Sequence, residues 1–220
     1  AYPDGDNFSP AIGPWGVEAR TNLLAVKPAV PSGNDRQGDF IDQAQRLQFV
    51  FIVNQFGDHM LTRPLNSLDA ALVPVVPIVT SSKDGYKSTP ILPLPTTPMT
   101  WGTANGMGVL RDNDQATFDP AKGDMPCPSV GGAAVEKTGG GRLVVLGSLT
   151  FATDQLVSMS DPDLAKQGYD VPRFPANEQL FLNSCFWLGH MDPLIAIAPT
   201  STQVSRIAPM SDVEAKVWSI

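Results

Sequence analysis

The sequence predicts a single α/β domain with a mainly parallel sheet flanked by helices and an irregular middle rich in Pro and Gly. The last third reads strand, glycine turn, helix, strand, which is the local order of an α/β sheet. The earlier run LQFVFIV is continuously apolar, as expected of a strand buried on both faces. With 21 Pro, 19 Gly and only 17% charged residues in 220, the composition favours short elements and irregular connections over a helical bundle.

The chain divides into an N-terminal helix and loop (1–45), a sheet-forming core (46–200) and a C-terminal tail (201–220). In the first part, Ser9 is a suitable helix cap and Pro10 suits the first helical position. The first strand of the core is predicted at residues 46–54 because β-branched and aromatic residues are dense there.

The middle of the chain carries weaker signals. Residues 59–68 are predicted to form one or two helical turns, and residues 71–80 an edge strand or irregular extended segment broken by Pro74 and Pro77. Residues 81–128 consist mostly of turn and proline signals.

The last third is more regular. Two apolar runs, 129–136 and 142–146, flank a glycine turn and predict a hairpin or adjacent strands. A short helix is predicted to begin at Asp161 and to stop at Gly168. Residues 194–198 predict a final strand.

A longer helix is predicted between a cap at Asn177 and a left-handed terminator at Gly189. Its residues are apolar all round except for a narrow polar stripe at Gln179, Asn183 and Ser184. Such a helix is expected to be buried, with Asn183 bonded to the backbone of a neighbouring loop.

Charge and hydropathy exclude two classes of partner. The formal net charge of −7 gives no basic face for nucleic acid. The longest apolar run, 70–79, is interrupted by prolines and falls short of the roughly 20 residues that span a bilayer. We therefore expect no nucleic-acid binding and no membrane span within this chain.

The cysteines and acidic residues give no catalytic or metal signature. Cys127 lies between two prolines without a following helix, and Cys185 lies within an apolar helix, so neither suits an activated thiol. Whether the two cysteines form a disulfide with each other is an open alternative at this point. The acidic loop offers oxygen ligands for calcium but does not follow the order of an EF-hand, so a solvated loop is favoured; its residues are Asp112, Asn113, Asp114, Asp119 and Asp124. No metal and no cofactor are predicted.

Several segments resemble a known family. The run GRLVVLGS at 141–148, FATD at 151–154, NEQLFLN at 177–183 and WLG at 187–189 resemble the C-terminal part of GldG-like auxiliary components of ABC-type transport systems. Upstream, DHMLTR at 58–63 resembles the Asp-His-Pro-Ile-Thr segment found there and in ThuA-like proteins.

The resemblance implies a class I glutamine amidotransferase-like, flavodoxin-like fold without catalytic activity. It also implies a periplasmic location, tethered by membrane segments absent from this chain. The first strands of that family's sheet are not recognisable, so the chain is expected to be a piece of a longer protein.

Five residues are the candidates for binding. Ser148, Thr150 and Asp154 stand where the family usually shows two acidic residues and an Asn, and they follow a predicted strand, where open α/β sheets bind ligands. His59 and Asn177 complete the set. Three of them have a favoured structural alternative: capping of the next helix by Ser148 (or Thr153), complementing of that helix's dipole by Asp154, and a helix-start or loop-locking role for His59.

The sequence thus predicts a non-catalytic, extracytoplasmic binding or scaffolding module of an ABC-type transport or gliding-motility-like system, with a protein or a carbohydrate as its partner. A hydrolase that uses Ser148, Asp154 and His59 is the first alternative. A structural subunit whose segment 70–79 adds to a partner's sheet is the second.

Overall fold

The computed structural model describes residues 8–29, 47–96, 99–112, 114–126 and 130–195. The described strands are short: β1 Val17–Ala19, β2 Leu24–Val26, β3 Phe51–Val53, β4 Ala70–Leu72, β5 Ile78–Thr80, β6 Tyr86–Pro93, β7 Trp101–Thr103, β8 Met125–Pro126, β9 Val130–Lys137 and β10 Arg142–Leu146. The described α-helices are α1 Ser9–Ile12, α2 Asp154–Val157, α3 Pro162–Lys166, α4 Pro175–Leu188 and α5 Asp192–Ile195. Single 3-10 turns lie at Gly13–Trp15, Arg63–Leu65 and Pro120–Lys122, and a π-helical turn lies at Gly108–Asp112.

The described strands form three sheets. The largest has the order β1-β5-β9-β10, with β6 pairing along the other edge of β9. A three-stranded sheet has the order β2-β7-β8, and β3 pairs with β4 alone. All the pairings in these sheets are antiparallel.

The predicted α/β fold with a mainly parallel sheet is therefore wrong, and so is the amidotransferase-like, flavodoxin-like architecture. Parallel neighbours need a crossover of a dozen or more residues. Between β9 and β10 the chain has only the turn at 138–141, in which Gly139 and Gly140 adopt positive φ angles of 99° and 106°. A tight turn of this kind joins antiparallel strands, so the described part of the chain is rich in antiparallel β-structure with few, mostly short helices.

Strand β6, which pairs with β9, was not predicted from the sequence because it contains prolines. Strand β6 runs through Pro90 and Pro93, inside the stretch that the sequence assigns to turns. Its register with β9 shifts between Pro90 and Leu92 and again between Leu92 and Pro93. These irregularities occur at and beside residues that have no N–H to donate to the ladder.

Two other local predictions are confirmed, and some concern residues outside the described ones. The hairpin of β9 and β10 is confirmed, as is α3, where the Asp161 carboxylate accepts from the N–H groups of Asp163 and Leu164. The segment 194–198 is expected to form a final strand, but its first two residues are the last two of helix α5, and residues 196–198 lie outside the described residues. Residues 30–46 and the tail 201–220 also lie outside them.

The main hydrophobic core lies between α4 and the sheet formed by β6, β9 and β10. Its buried members include Phe51, Leu92, Leu180 and Trp187, each at most 1% exposed. Smaller clusters lie under α1 and beside β7. In the described part of the chain, no helix combines the length and apolar character needed to cross a membrane.

Candidate functional site

Ser148 and Thr150 follow β10 but do not face an open crevice. The hydroxyl of Ser148 accepts from the N–H of Val73 and donates to its carbonyl, both at 3.2 Å, and the hydroxyl of Thr150 donates to the same carbonyl. Gly147 permits this approach, since a Cβ there would lie 2.1 Å from the carbonyl oxygen of Val76. Both candidates therefore hold the loop after β4.

Asn177 performs a related task from the first turn of α4. Its side chain is fully buried; Oδ1 accepts from the N–H of Ala71 at 2.8 Å, and Nδ2 donates to the carbonyls of Ala71 (2.9 Å) and Phe151 (2.7 Å). The helix begins at Pro175 after Phe174, so Asn177 is not the N-cap that the sequence predicts. Its amide instead ties α4 to the edge of β4.

Asp154 stands apart from these residues. It is the exposed first residue of α2, where a carboxylate favours the positive end of the helix dipole. The hydroxyl of Thr153, the N-cap, donates to the carbonyl of Thr150 rather than accepting from the helix.

His59 lies near the opposite end of α4. Its ring packs edge-on against Trp187 with centroids 5.1 Å apart, and its Nδ1 accepts from the N–H of Leu61 at 3.3 Å. Burial lowers the pKa of His59. Trp187 follows Asn177 by ten residues, about 15 Å along a helix that rises 1.5 Å per residue.

Arg142 is the residue that sequence reasoning missed. Its guanidinium stacks over the ring of Trp187 at 5.0 Å, donates to the Trp187 carbonyl at 2.6 Å, and binds both oxygens of Asp192 at 2.6 and 2.9 Å. Glu136 approaches at 3.4 Å. The hydrogen bonds from Arg142 lower the pKa of Asp192. Arg142 thus joins β10 to the end of α4 and to α5.

The structure brings Ser148, Thr150 and Asn177 together on the backbone of residues 71–73, while His59 and Asp154 lie elsewhere. The polar groups that a hydrolase would need are not hydrogen-bonded to one another: Ser148 bonds to Val73, and His59 contacts Leu61 and Trp187. The arrangement is that of side chains which fasten loops to one another.

No family model, no curated protein and no solved structure matches the chain.

Helix α4 has an unusual distribution of side chains. Its inward face carries Asn177, Asn183 and Ser184 beside Leu180 and Trp187. Asn183 donates to the carbonyl of Leu61 at 2.8 Å, which confirms the loop bond expected for it, and Ser184 donates to the carbonyl of Leu180 at 2.7 Å.

The outward face of α4 is apolar. The prediction of a wholly buried helix is wrong, because Phe181, Leu182 and Leu188 are 46%, 39% and 44% exposed, and Cys185 is a free, exposed cysteine beside them. The helix has no charged residue after Glu178. We call these four residues the α4 outer face. The question of a bridge to Cys127 lies outside the described residues.

Two further parts of the fold gather polar and charged groups. A shallow open depression of about 400 Å³ lies where the ends of β6 and β9 meet the glycine turn, and Tyr86, Glu136 and Lys137 line it. In the acidic loop, the Asp124 carboxylate accepts from the N–H groups of Ala104 and Asp119. Among the described residues, no three His, Cys, Asp or Glu side chains are placed to hold a metal ion.

Proposed function

We propose that this chain is a non-catalytic binding or scaffolding module that recognises a protein partner through the α4 outer face. The observation that carries the proposal is the exposure of Phe181, Leu182, Cys185 and Leu188 on one side of α4, the longest described helix, whose single charge is Glu178 in its first turn. Contiguous exposed apolar patches on soluble proteins commonly mark interaction sites.

The outward position of these side chains has a structural cause. The inward side of α4 is already filled: Leu180 and Trp187 are buried, Asn177 bonds to the backbone of Ala71 and Phe151, and Asn183 bonds to the carbonyl of Leu61. Rotating the helix to bury the outer face would break those buried hydrogen bonds, each of which protects polar groups that are costly to leave unpaired. The apolar stripe is therefore held towards solvent.

The chemistry of the patch favours a protein over a carbohydrate. A sugar is recognised largely through its hydroxyl groups, whereas the α4 outer face offers aliphatic, aromatic and thiol groups. Met191 and Leu194, 44% and 41% exposed, follow directly along the chain. An apolar surface of this kind suits a partner that buries it with aliphatic or aromatic side chains.

The two alternatives have less support. The hydroxyl of Ser148 is bonded to Val73, away from His59, which disfavours the hydrolase. Segment 70–79 has its partners within the chain, because β4 pairs with β3 and bonds to Asn177, and β5 lies between β1 and β9. It is not free to extend another protein's sheet.

A role as an extracytoplasmic component of an ABC-type transport system remains part of the proposal. It rests on the local resemblance of residues 58–63 and 141–189 and draws nothing from the fold. ABC permease and ATP-binding subunits encoded beside the gene would support it, and an isolated gene would count against it.

The test is a binding titration against the extracytoplasmic parts of such permease subunits, measured by calorimetry. Phe181→Glu and Leu188→Glu should each weaken binding at least tenfold, about 1.4 kcal/mol. Leu149→Glu is the matched control, because Leu149 is 86% exposed outside α4. Circular dichroism verifies the fold of each variant. Equal binding by the variants in α4 would refute the proposed surface, and an esterase activity abolished by Ser148→Ala would refute the non-catalytic role.

A further inference from the structure

Strand β10 forms one edge of the largest sheet, and its register shows which groups face outward. The N–H of Lys137 bonds to the carbonyl of Gly141, and the N–H of Gly147 bonds to the carbonyl of Gly131. Because antiparallel ladders alternate, residues 143 and 145 also point their backbone groups towards β9. Arg142, Val144 and Leu146 therefore present their N–H and C=O groups at the open edge.

No described residue pairs with that edge. Strand β5 meets β9 only at Val130, beyond the end of β10, and Val76 bonds to Gly147 there. All five residues of β10 are partly exposed. Edges are usually protected by charged side chains, above all lysine, by prolines or by bulges; residues 142–146 contain no lysine, proline or bulge, and their one charge, Arg142, is paired within the chain.

We propose that β10 pairs antiparallel with β10 of a second copy of this chain about a two-fold axis at Val144. In this register Val144 faces Val144 of the second copy, and Arg142 and Leu146 face each other reciprocally. Their outward N–H and C=O groups then bond to one another. Leu143 faces Val145 on the opposite side of the sheet, so most cross-strand pairs are aliphatic, the kind of pair that stabilises a sheet.

The charges of the strand permit a self-pairing. Arg142 is its one charged residue, and Asp192 and Glu136 of the same chain already neutralise it. The two strands therefore meet without a clash of like charges, although the chain carries −7 overall. A strand that is its own complement under a two-fold rotation favours a second copy over an unrelated peptide. This surface is separate from the α4 outer face.

The first experiment measures molar mass by light scattering and sedimentation at micromolar concentrations. The wild-type chain should have twice the mass of one chain. Val144→Pro removes only an outward N–H, so the variant should keep its circular dichroism and have half the wild-type mass. Val145→Pro is the matched control: it removes an N–H that bonds to β9 and should destabilise the fold.

The second experiment tests the register and does not depend on the proline variants folding. In a chain with both native cysteines replaced by serine, a short bis-maleimide reagent should link Val144→Cys into a dimer, since hydrogen-bonded pairs place Cα atoms about 5.5 Å apart. Leu146→Cys should not be linked, because its partner would be Arg142. A monomeric wild type, a Val144→Pro variant that stays dimeric, or equal cross-linking at both positions would overturn the proposal.

Discussion

Removing the amide of Asn177 should cost several kilocalories per mole of stability. In Asn177→Ala, the N–H and C=O of Ala71 and the carbonyl of Phe151 lose their partner inside a fully buried site. An unpaired buried group costs about 1–3 kcal/mol, and some relaxation is expected, so we predict a loss of about 3–5 kcal/mol in the free energy of unfolding. Leucine at this position should do no better, because it also leaves the three groups unpaired.

The assay is urea unfolding followed by circular dichroism, with two-state analysis of midpoint and slope. Asn183→Ala is the comparison, since that side chain makes one buried backbone bond, to Leu61, and one bond to the Gln179 side chain. Its loss should be about 1–2 kcal/mol. A loss below about 1 kcal/mol for Asn177→Ala, or an equal loss for the two variants, would show that the amide does not hold β4 as described.

Two further predictions concern the region around the end of α4. Burial lowers the pKa of His59, so the unfolded chain takes up its proton first as the pH falls. The free energy of unfolding should therefore decline as the pH drops below about 6.5, the ordinary pKa of histidine. The contribution of His59 to this decline should end once the pH is below the lowered pKa of the folded state. Unfolding measured against pH should show a weaker dependence in His59→Gln, and an unchanged slope would contradict the assignment. Separately, α4 ends in a left-handed residue at His190, with φ of 56°, where glycine is favoured. His190→Gly should raise stability by about 0.5–1 kcal/mol and His190→Ala should not, as seen in thermal unfolding; a lower melting temperature for the glycine variant would show that the strain is absent.

Sequence reasoning succeeded where the signal is local. Helix α3 follows from Asp161 as a cap and from Gly168, which adopts a φ of 86° just after the helix. The β9–β10 hairpin follows from its glycine turn. In each case the residues that determine the structure lie within a few positions of one another.

The sheet could not be predicted, because its partners are distant in the chain. Tyr86 pairs with Lys137, and β6 tolerates prolines that would normally argue against a strand. The terminator of α4 was misplaced by one residue: Gly189 has an ordinary φ of −80°, and His190 takes the left-handed conformation. Glycine is the usual left-handed residue at a helix end, and the sequence offers no sign that His190 adopts this conformation instead.

The sequence also did not predict which side of α4 faces the solvent. A narrow stripe with Asn183 and Ser184 on an apolar helix normally points to water. Asn183 points inward and donates to the carbonyl of Leu61, as expected of a buried amide, but nothing near residue 183 in the chain reveals that the opposite, apolar side of the helix faces solvent. The candidates Ser148 and Thr150 were placed after the right strand, but their partner, Val73, lies across the fold.

The inverted polarity of α4 has a consequence for mutational tolerance. In most amphipathic helices, exchanging an apolar residue for a polar one is harmful and the reverse exchange is mild. In α4 we expect the reverse. In a saturation scan scored by abundance in the cell, apolar substitutions at Asn177 and Asn183 should be harmful, whereas polar substitutions at Phe181 and Leu188 should be mild. Isoleucine at the amide positions should deplete the protein, while glutamine or lysine at the apolar positions should leave its yield intact or improve its solubility.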